Sequence, residues 1–241
     1  MKRKIKNNIP YQFVNETKKD EHVLTISGAI GESGWFYDAT SADDVRNALG
    51  NVKASTIRIM LNSGGGDCMD GIEIYNYLKD LEAHVIVEVT ALAGSAASII
   101  AMGADEVIMR TGATMMVHEA STFAYGTKSD IQKTMNALEA IDQSIVEIYV
   151  QKTGLSHDEI KDMIVAETWL TAEEALKKGF ATSIEQVVDN EPKEPSNHID
   201  DALINNIVEL VTSKIENQIP KKEPMQLEAE KPSNTRTRFL F

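Results

Sequence analysis

Two hydrophobic rhythms alternate along the chain between Val23 and Lys178. Short, densely apolar runs at Val23–Ile30 (VLTISGAI), Thr56–Leu61 (TIRIML), Val85–Val89 (VIVEV), Val107–Met109 and Thr114–Val117 predict strands. Between them, apolar residues recur at helical spacing. Ala42–Leu49 follows Ser41, with Asp44 three residues on, close to a capping box. Met69–Leu81 carries Ile72, Ile74, Tyr75 and Leu78 on one face. Ala93–Gly103 is rich in small residues and predicts a buried helix, and Lys128–Thr153 predicts a long helix with an exposed face. Ser156–Ile164 and Thr171–Lys178 predict shorter helices with Ser156 and Thr171 as N-caps, and Gly179 stands at a C-cap position. Asn62–Gly66 (NSGGG) reads as a turn, neither helix nor strand. Strand and helix in alternation predict an α/β fold, a mostly parallel sheet with crossover helices.

The rhythm stops near Asp189. Residues 190–198 (NEPKEPSNH) contain two prolines and no large apolar residue, and read as a linker. Residues 199–218 place Ile199, Leu203, Ile207, Leu210, Val211 and Ile215 at the spacing of an amphipathic helix, suited either to a solvated surface or to docking on a partner. Residues 219–241 mix prolines with charges and read as a disordered tail. At the other end, residues 1–20 begin with the basic stretch MKRKIKNN and read as an N-terminal arm, leaving 21–189 as the domain.

Composition narrows the function classes. In 241 residues, 42% are apolar and 25% charged, an ordinary globular balance with enough apolar surface for a core. The net charge of −13 opposes a phosphate-tracking surface, so no nucleic-acid partner is expected. No run of 18 apolar residues exists and the start lacks a signal-peptide pattern, so neither a membrane span nor export is expected, and the cytoplasm is the expected location. A single cysteine, Cys68, excludes an internal disulfide and a cysteine-built zinc site. No metal or cofactor is expected, and no Walker-type motif for ATP is present.

Three segments carry candidate chemistry. Asn62–Gly66 lies between a strand and a helix, where three glycines allow positive φ, and exposed N–H groups can hold a negative oxygen. Ala93-Gly94-Ser95-Ala96-Ala97-Ser98 surrounds its serines with small residues that would not crowd a substrate. Met115–Glu119 delivers His118 at the end of an apolar strand, and imidazole is the usual base for activating a serine hydroxyl near neutral pH. The other four histidines, His22, His84, His157 and His198, sit in polar or charged contexts.

Glycine turn, small-flanked serine and strand-end histidine, in that order, resemble ClpP, the proteolytic subunit family of the Clp protease. The likeness covers roughly Val23 to Val188. NSGGG…GIEIYNYL is similar to the family's Asn-Ser-Pro-Gly-Gly turn and following helix, with Gly64 in the proline place. TALAGSAASIIAMGADEVIM resembles the nucleophile segment in the form found in the phage and prophage branch, which contains head-maturation proteases. ETWLTAEEALKKGFA resembles the block that contains the acidic triad member.

The resemblance implies a ClpP/crotonase-type ββα spiral. It also implies a serine endopeptidase working through an acyl-enzyme on protein or peptide substrates. Either serine can fill the nucleophile motif. Ser95 keeps the family's spacing to Gly103-Ala104 without a gap, and Ser98 is the alternative. His118 takes the base position and Glu167 the acid position, where the family usually has aspartate, with Asp162 the nearest alternative carboxylate. The backbone N–H groups of Gly66 and Ala96 take the oxyanion-hole positions. A homo-oligomeric ring is implied, with Lys128–Thr153 as its contact element. A capsid or scaffold protein, or an AAA+ unfoldase, is the implied partner, and a phage prohead an implied site of action. Three other readings compete. A catalytically silent scaffold of the same fold would show no serine labelling. A crotonase-type acyl-CoA enzyme would need a basic CoA site, and a signal-peptide-peptidase relative would need a serine–lysine pair and an anchor.

Overall fold

The computed structural model describes residues 9–18 and 20–185. The linker, helix and tail expected over 190–241 lie outside the described residues. In chain order the elements are β1 (Gln12–Lys18), β2 (Glu21–Ser27), β3 (Ala29–Ile30), β4 (Ala39–Thr40), α1 (Ala42–Leu49), β5 (Thr56–Ser63), α2 (Cys68–Lys79) and β6 (His84–Gly94). There follow α3 (Ala96–Met102), β7 (Glu106–Met109), β8 (Thr114–Val117), α4 (Lys128–Thr153), α5 (His157–Val165), β9 (Thr168–Thr171), α6 (Ala172–Lys177) and β10 (Ser183–Ile184).

The main sheet runs β1-β2-β5-β6-β7-β10, with β8 joined to β6 and β9 to β8. All pairings are parallel except β1 with β2 and β8 with β9. Helices α1, α2 and α3 each cross from one parallel strand to the next, so the fold is the mostly parallel α/β architecture expected. The strand β6 has two partners on one edge. Its Ile86–Val89 stretch pairs with β7, and its Leu92–Gly94 stretch pairs with β8. That extension carries the chain forward to the point where Ser95 leaves the sheet.

Burial follows from the alternation. On β5, Ile57, Ile59 and Leu61 point into a core that also holds Leu24, Ile26, Val87, Val89 and Ile100. The opposite face of the sheet carries charge. Arg58 bridges Glu21 (2.8 Å) and the nearly buried Glu88 (3.2 Å), and Arg110 pairs with Glu88 and reaches Glu185 (3.7 Å). This ladder ties β2, β5 and β6 to the segments that follow β7 and β10.

Helix starts are set by their caps. Ser41, Ser156 and Thr171 each accept from the backbone three residues on, in complete capping boxes. Thr127 does the same for α4, and Gly154 ends that helix in the left-handed conformation.

Three expectations need correction. Gln12–Lys18 does not belong to an arm: it pairs antiparallel with β2 along its whole length, which satisfies both backbones at that edge. Asn62 and Ser63 are not in a turn but continue β5, where the register to β6 slips. Ala93 and Gly94 finish β6, so the buried helix starts only at Ala96.

Candidate active site

The nucleophile candidate sits where β6 becomes α3. Ser95 has φ +53° and ψ −124°, a sparsely populated positive-φ conformation outside the left-handed helical region that costs a non-glycine residue about 1–3 kcal/mol. Its surroundings hold it there. The Ser95 N–H donates to the Met116 carbonyl at 2.8 Å. Its own carbonyl accepts from the Ser98 N–H (2.9 Å), the Ile99 N–H (3.3 Å) and the Ser98 hydroxyl (2.6 Å). The reversal turns Oγ out of the sheet and onto the histidine. His118 Nε2 lies 2.7 Å from Ser95 Oγ. His118 itself is half-buried and follows β8, which pairs with the end of β6.

The glycine turn packs against this pair. Gly65 has φ +91°, and a Cβ there would lie 2.6 Å from the Gly94 carbonyl and 2.7 Å from Ser95 Cβ. At Gly66 a Cβ would overlap the Ile30 carbonyl at 2.0 Å. Ile30 clamps the turn from the other side, donating to the Gly65 carbonyl (3.1 Å) and accepting from the Asp67 N–H (2.9 Å). Among the described residues no carbonyl takes the Gly66 N–H. Ala96 is the first residue of α3, so its N–H has no intrahelical acceptor. The two expected oxyanion donors are therefore free main-chain donors beside Ser95.

The remaining predicted residues divide. Ser98 is fully buried, bonded to the Tyr149 hydroxyl (2.8 Å) and the Ser95 carbonyl, and makes no bond to His118. Glu167 is brought near His118 by topology but not by its side chain. In the β8–β9 pairing Val117 faces Thr168, and one further step of that register sets His118 opposite Glu167. Glu167 has φ +51° and is exposed, and its carboxylate bonds to no side chain or backbone among the described residues. Asp162 is exposed on α5 and likewise does not reach His118. In this conformation serine and histidine form a dyad.

Two further features had no sequence signal. Asp142 on α4 accepts from the Ala120 N–H (2.7 Å), anchoring the segment that follows His118. Beyond it lies a cavity of about 570 Å³ lined by Glu119, Met135, Asp142, Val146 and Ile164, large enough for substrate side chains. Tyr149 is the second, wholly buried and tilted against Phe180 at 5.5 Å between ring centres.

Comparison with known proteins agrees with this fold. "ATP-dependent Clp protease proteolytic subunit 1" from Protochlamydia amoebophila (strain UWE25) is 28% identical over 194 residues, 75% of this chain and 90% of that protein. A ClpP1 mutant structure from Listeria monocytogenes shares the fold, with a TM-score of 0.54 at 23% identity over 59% of this chain and 82% of that one. The family model described as Clp protease matches residues 38–190, which span the glycine turn, Ser95, His118 and Glu167, and the chain belongs to that family of serine peptidases.

Proposed function

We propose that the chain is a serine endopeptidase in which Ser95 is the nucleophile and His118 the general base. The observation that carries this reading is the 2.7 Å contact between Ser95 Oγ and His118 Nε2. His118 takes the Ser95 proton as Oγ attacks the peptide carbonyl. The negative oxygen of the tetrahedral intermediate is held by the N–H groups of Gly66 and Ala96. The imidazolium then protonates the leaving amine, and water, deprotonated by the same imidazole, releases the acyl group. Glu167 holds the acid position in sequence, and its turn must rearrange for the carboxylate to accept the Nδ1 proton of His118.

Substrate choice divides two finer readings. The phage-like form of the nucleophile segment supports processing of a capsid or scaffold protein in head maturation. The likeness to the Protochlamydia ATP-dependent Clp protease subunit supports a general subunit fed by an ATP-driven unfoldase. In both readings the chain works as a closed homo-oligomeric ring in the cytoplasm, with α4 as contact element. Exposed Ile131 and Met135 on the outer half of α4 support that role. A silent scaffold is the third reading, favoured because no carboxylate among the described residues bonds His118.

A fluorophosphonate probe tests the proposal. The parent chain is expected to be labelled at Ser95, and Ser95→Ala to lose labelling and peptidase activity by several orders of magnitude. An unlabelled parent chain would leave the scaffold reading standing. Light scattering checks the ring, and a monomer at working concentration would overturn it.

A further inference from the structure

We infer that Ser98 and Tyr149 form a hydroxyl chain that fixes and polarises the Ser95–Ala96 peptide, presenting the Ala96 N–H to the oxyanion. The inference rests on the serine-peptidase reading and makes both residues positioning residues, since neither touches substrate.

The direction of the chain follows from donor counting. The Ser95 carbonyl can only accept, so the Ser98 hydroxyl proton lies on it across 2.6 Å. Ser98 Oγ then has no proton left for Tyr149, so the Tyr149 O–H donates to Ser98 across 2.8 Å. Burial pushes the Tyr149 phenol above its ordinary pKa, which keeps that proton in place at any working pH. Ser98 and Tyr149 are 0% and 1% exposed, so water cannot replace either hydroxyl.

The receiving carbonyl belongs to the same planar amide as the Ala96 N–H. Orienting that carbonyl orients the N–H. Donors converging on the oxygen also draw electron density from the nitrogen and strengthen its N–H as a donor, as in other hydrogen-bond chains. A plain back-bond from a helical serine to the preceding turn would need no tyrosine. Here the tyrosine comes from α4, 51 residues away in sequence. The same chain holds Ser95 at ψ −124°, the torsion that sets the direction of the carbonyl it grips.

An oxyanion exists only after attack, so the effect belongs to the transition state and should appear in kcat rather than KM. Losing a direct oxyanion donor costs about 10²- to 10³-fold, and a group acting through one peptide should cost less. Ser98→Ala is expected to lower kcat about 5- to 30-fold and Tyr149→Phe about 2- to 5-fold, with KM little changed. A peptide boronic acid, which forms a tetrahedral adduct, should bind more weakly by the same factors. Ser98→Thr keeps the hydroxyl. It should recover kcat to within about 3-fold of the parent even if its extra methyl lowers Tm.

Ser95→Ala and the parent run alongside under the fluorophosphonate probe. Labelling of the parent alone establishes the serine-peptidase reading independently of the variants. With the parent labelled, equal kcat and equal boronate affinity in Ser98→Ala and Tyr149→Phe would overturn the positioning role, whatever their Tm. A parent that fails to label overturns the peptidase reading and this inference with it.

Discussion

Ser95 and Glu167 are the two non-glycine residues with left-handed φ among the described residues, at +53° and +51°. Ser95 is enclosed. Its N–H, its carbonyl and its Oγ are all bonded, and Gly65 presses on its Cβ side. Glu167 lies at a surface turn between α5 and β9, where its N–H donates to the Ile164 carbonyl (3.2 Å) and its side chain bonds to nothing described. Similar backbone strain therefore has two outcomes. At Ser95 the surroundings over-determine the conformation and aim a hydroxyl at a base. At Glu167 the backbone is held on both sides, by its N–H on the Ile164 carbonyl and by the Thr168 hydroxyl on the Met163 carbonyl (2.8 Å), but the carboxylate makes no bond to the histidine that the strand register sets opposite.

Gly65→Ala should break the enclosed side of that contrast most severely. The φ of +91° and the 2.6 Å approach to a backbone carbonyl leave no room for a methyl group, so the turn must shift away from Ser95. We expect a loss of about 10²-fold or more in kcat/KM from misplacement on the order of 1 Å. A peptidase assay on the purified variant, with circular dichroism as a check on folding, reads the effect. Activity near the parent level would mean that the turn does not set the nucleophile.

Glu167→Gly sharpens the other side. Glycine removes the positive-φ penalty at Glu167, and its greater unfolded-state entropy returns part of the gain. Stability should change by no more than about 1 kcal/mol and in the favourable direction, seen as a small rise in the denaturation midpoint. A marked fall would show that the side chain stabilises the turn after all.

Glu167→Gln is expected to do least. With no bond to His118, exchanging carboxylate for amide should leave kcat within about 3-fold of the parent in the conformation described. A drop on the order of 10²- to 10⁴-fold, the cost of disabling a triad acid, would show that the turn closes on Nδ1 during catalysis. It would also make the contrast with Ser95 a property of the resting state alone.

What the sequence carried and what it hid follow one physical line. His118 was legible as a candidate base because the apolar run Thr114–Val117 announces the strand it follows, whereas Ser95, expected inside a helix, was singled out over Ser98 only by its resemblance to the family's nucleophile segment. The helix starts were legible because Ser41, Ser156 and Thr171 are followed by acidic residues at the capping-box distance. The strand β1 was not, since QFVNETK is polar on a surface edge and buries little to mark it. The end of β6 was hidden because Thr90–Gly94 exchanges bulky apolar residues for small ones where the backbone must approach the glycine turn. Glu167 could be placed in the right register, but the direction of its side chain depends on one φ angle that composition does not encode. The Ser98–Tyr149 contact joins residues from separate helices, and nothing local signals it.

The extra strand β1 has a further consequence. An open sheet edge is a template on which other extended chains can add as new strands. Without β1, the edge of β2, with Leu24 and Ile26 buried at alternate positions, would face them directly. With it, the outermost strand offers Gln12, Asn15, Glu16 and Thr17, and Asn15 is tied down to the Ala48 carbonyl at 3.2 Å. The strand β1 thereby blunts that edge against pairing with other chains.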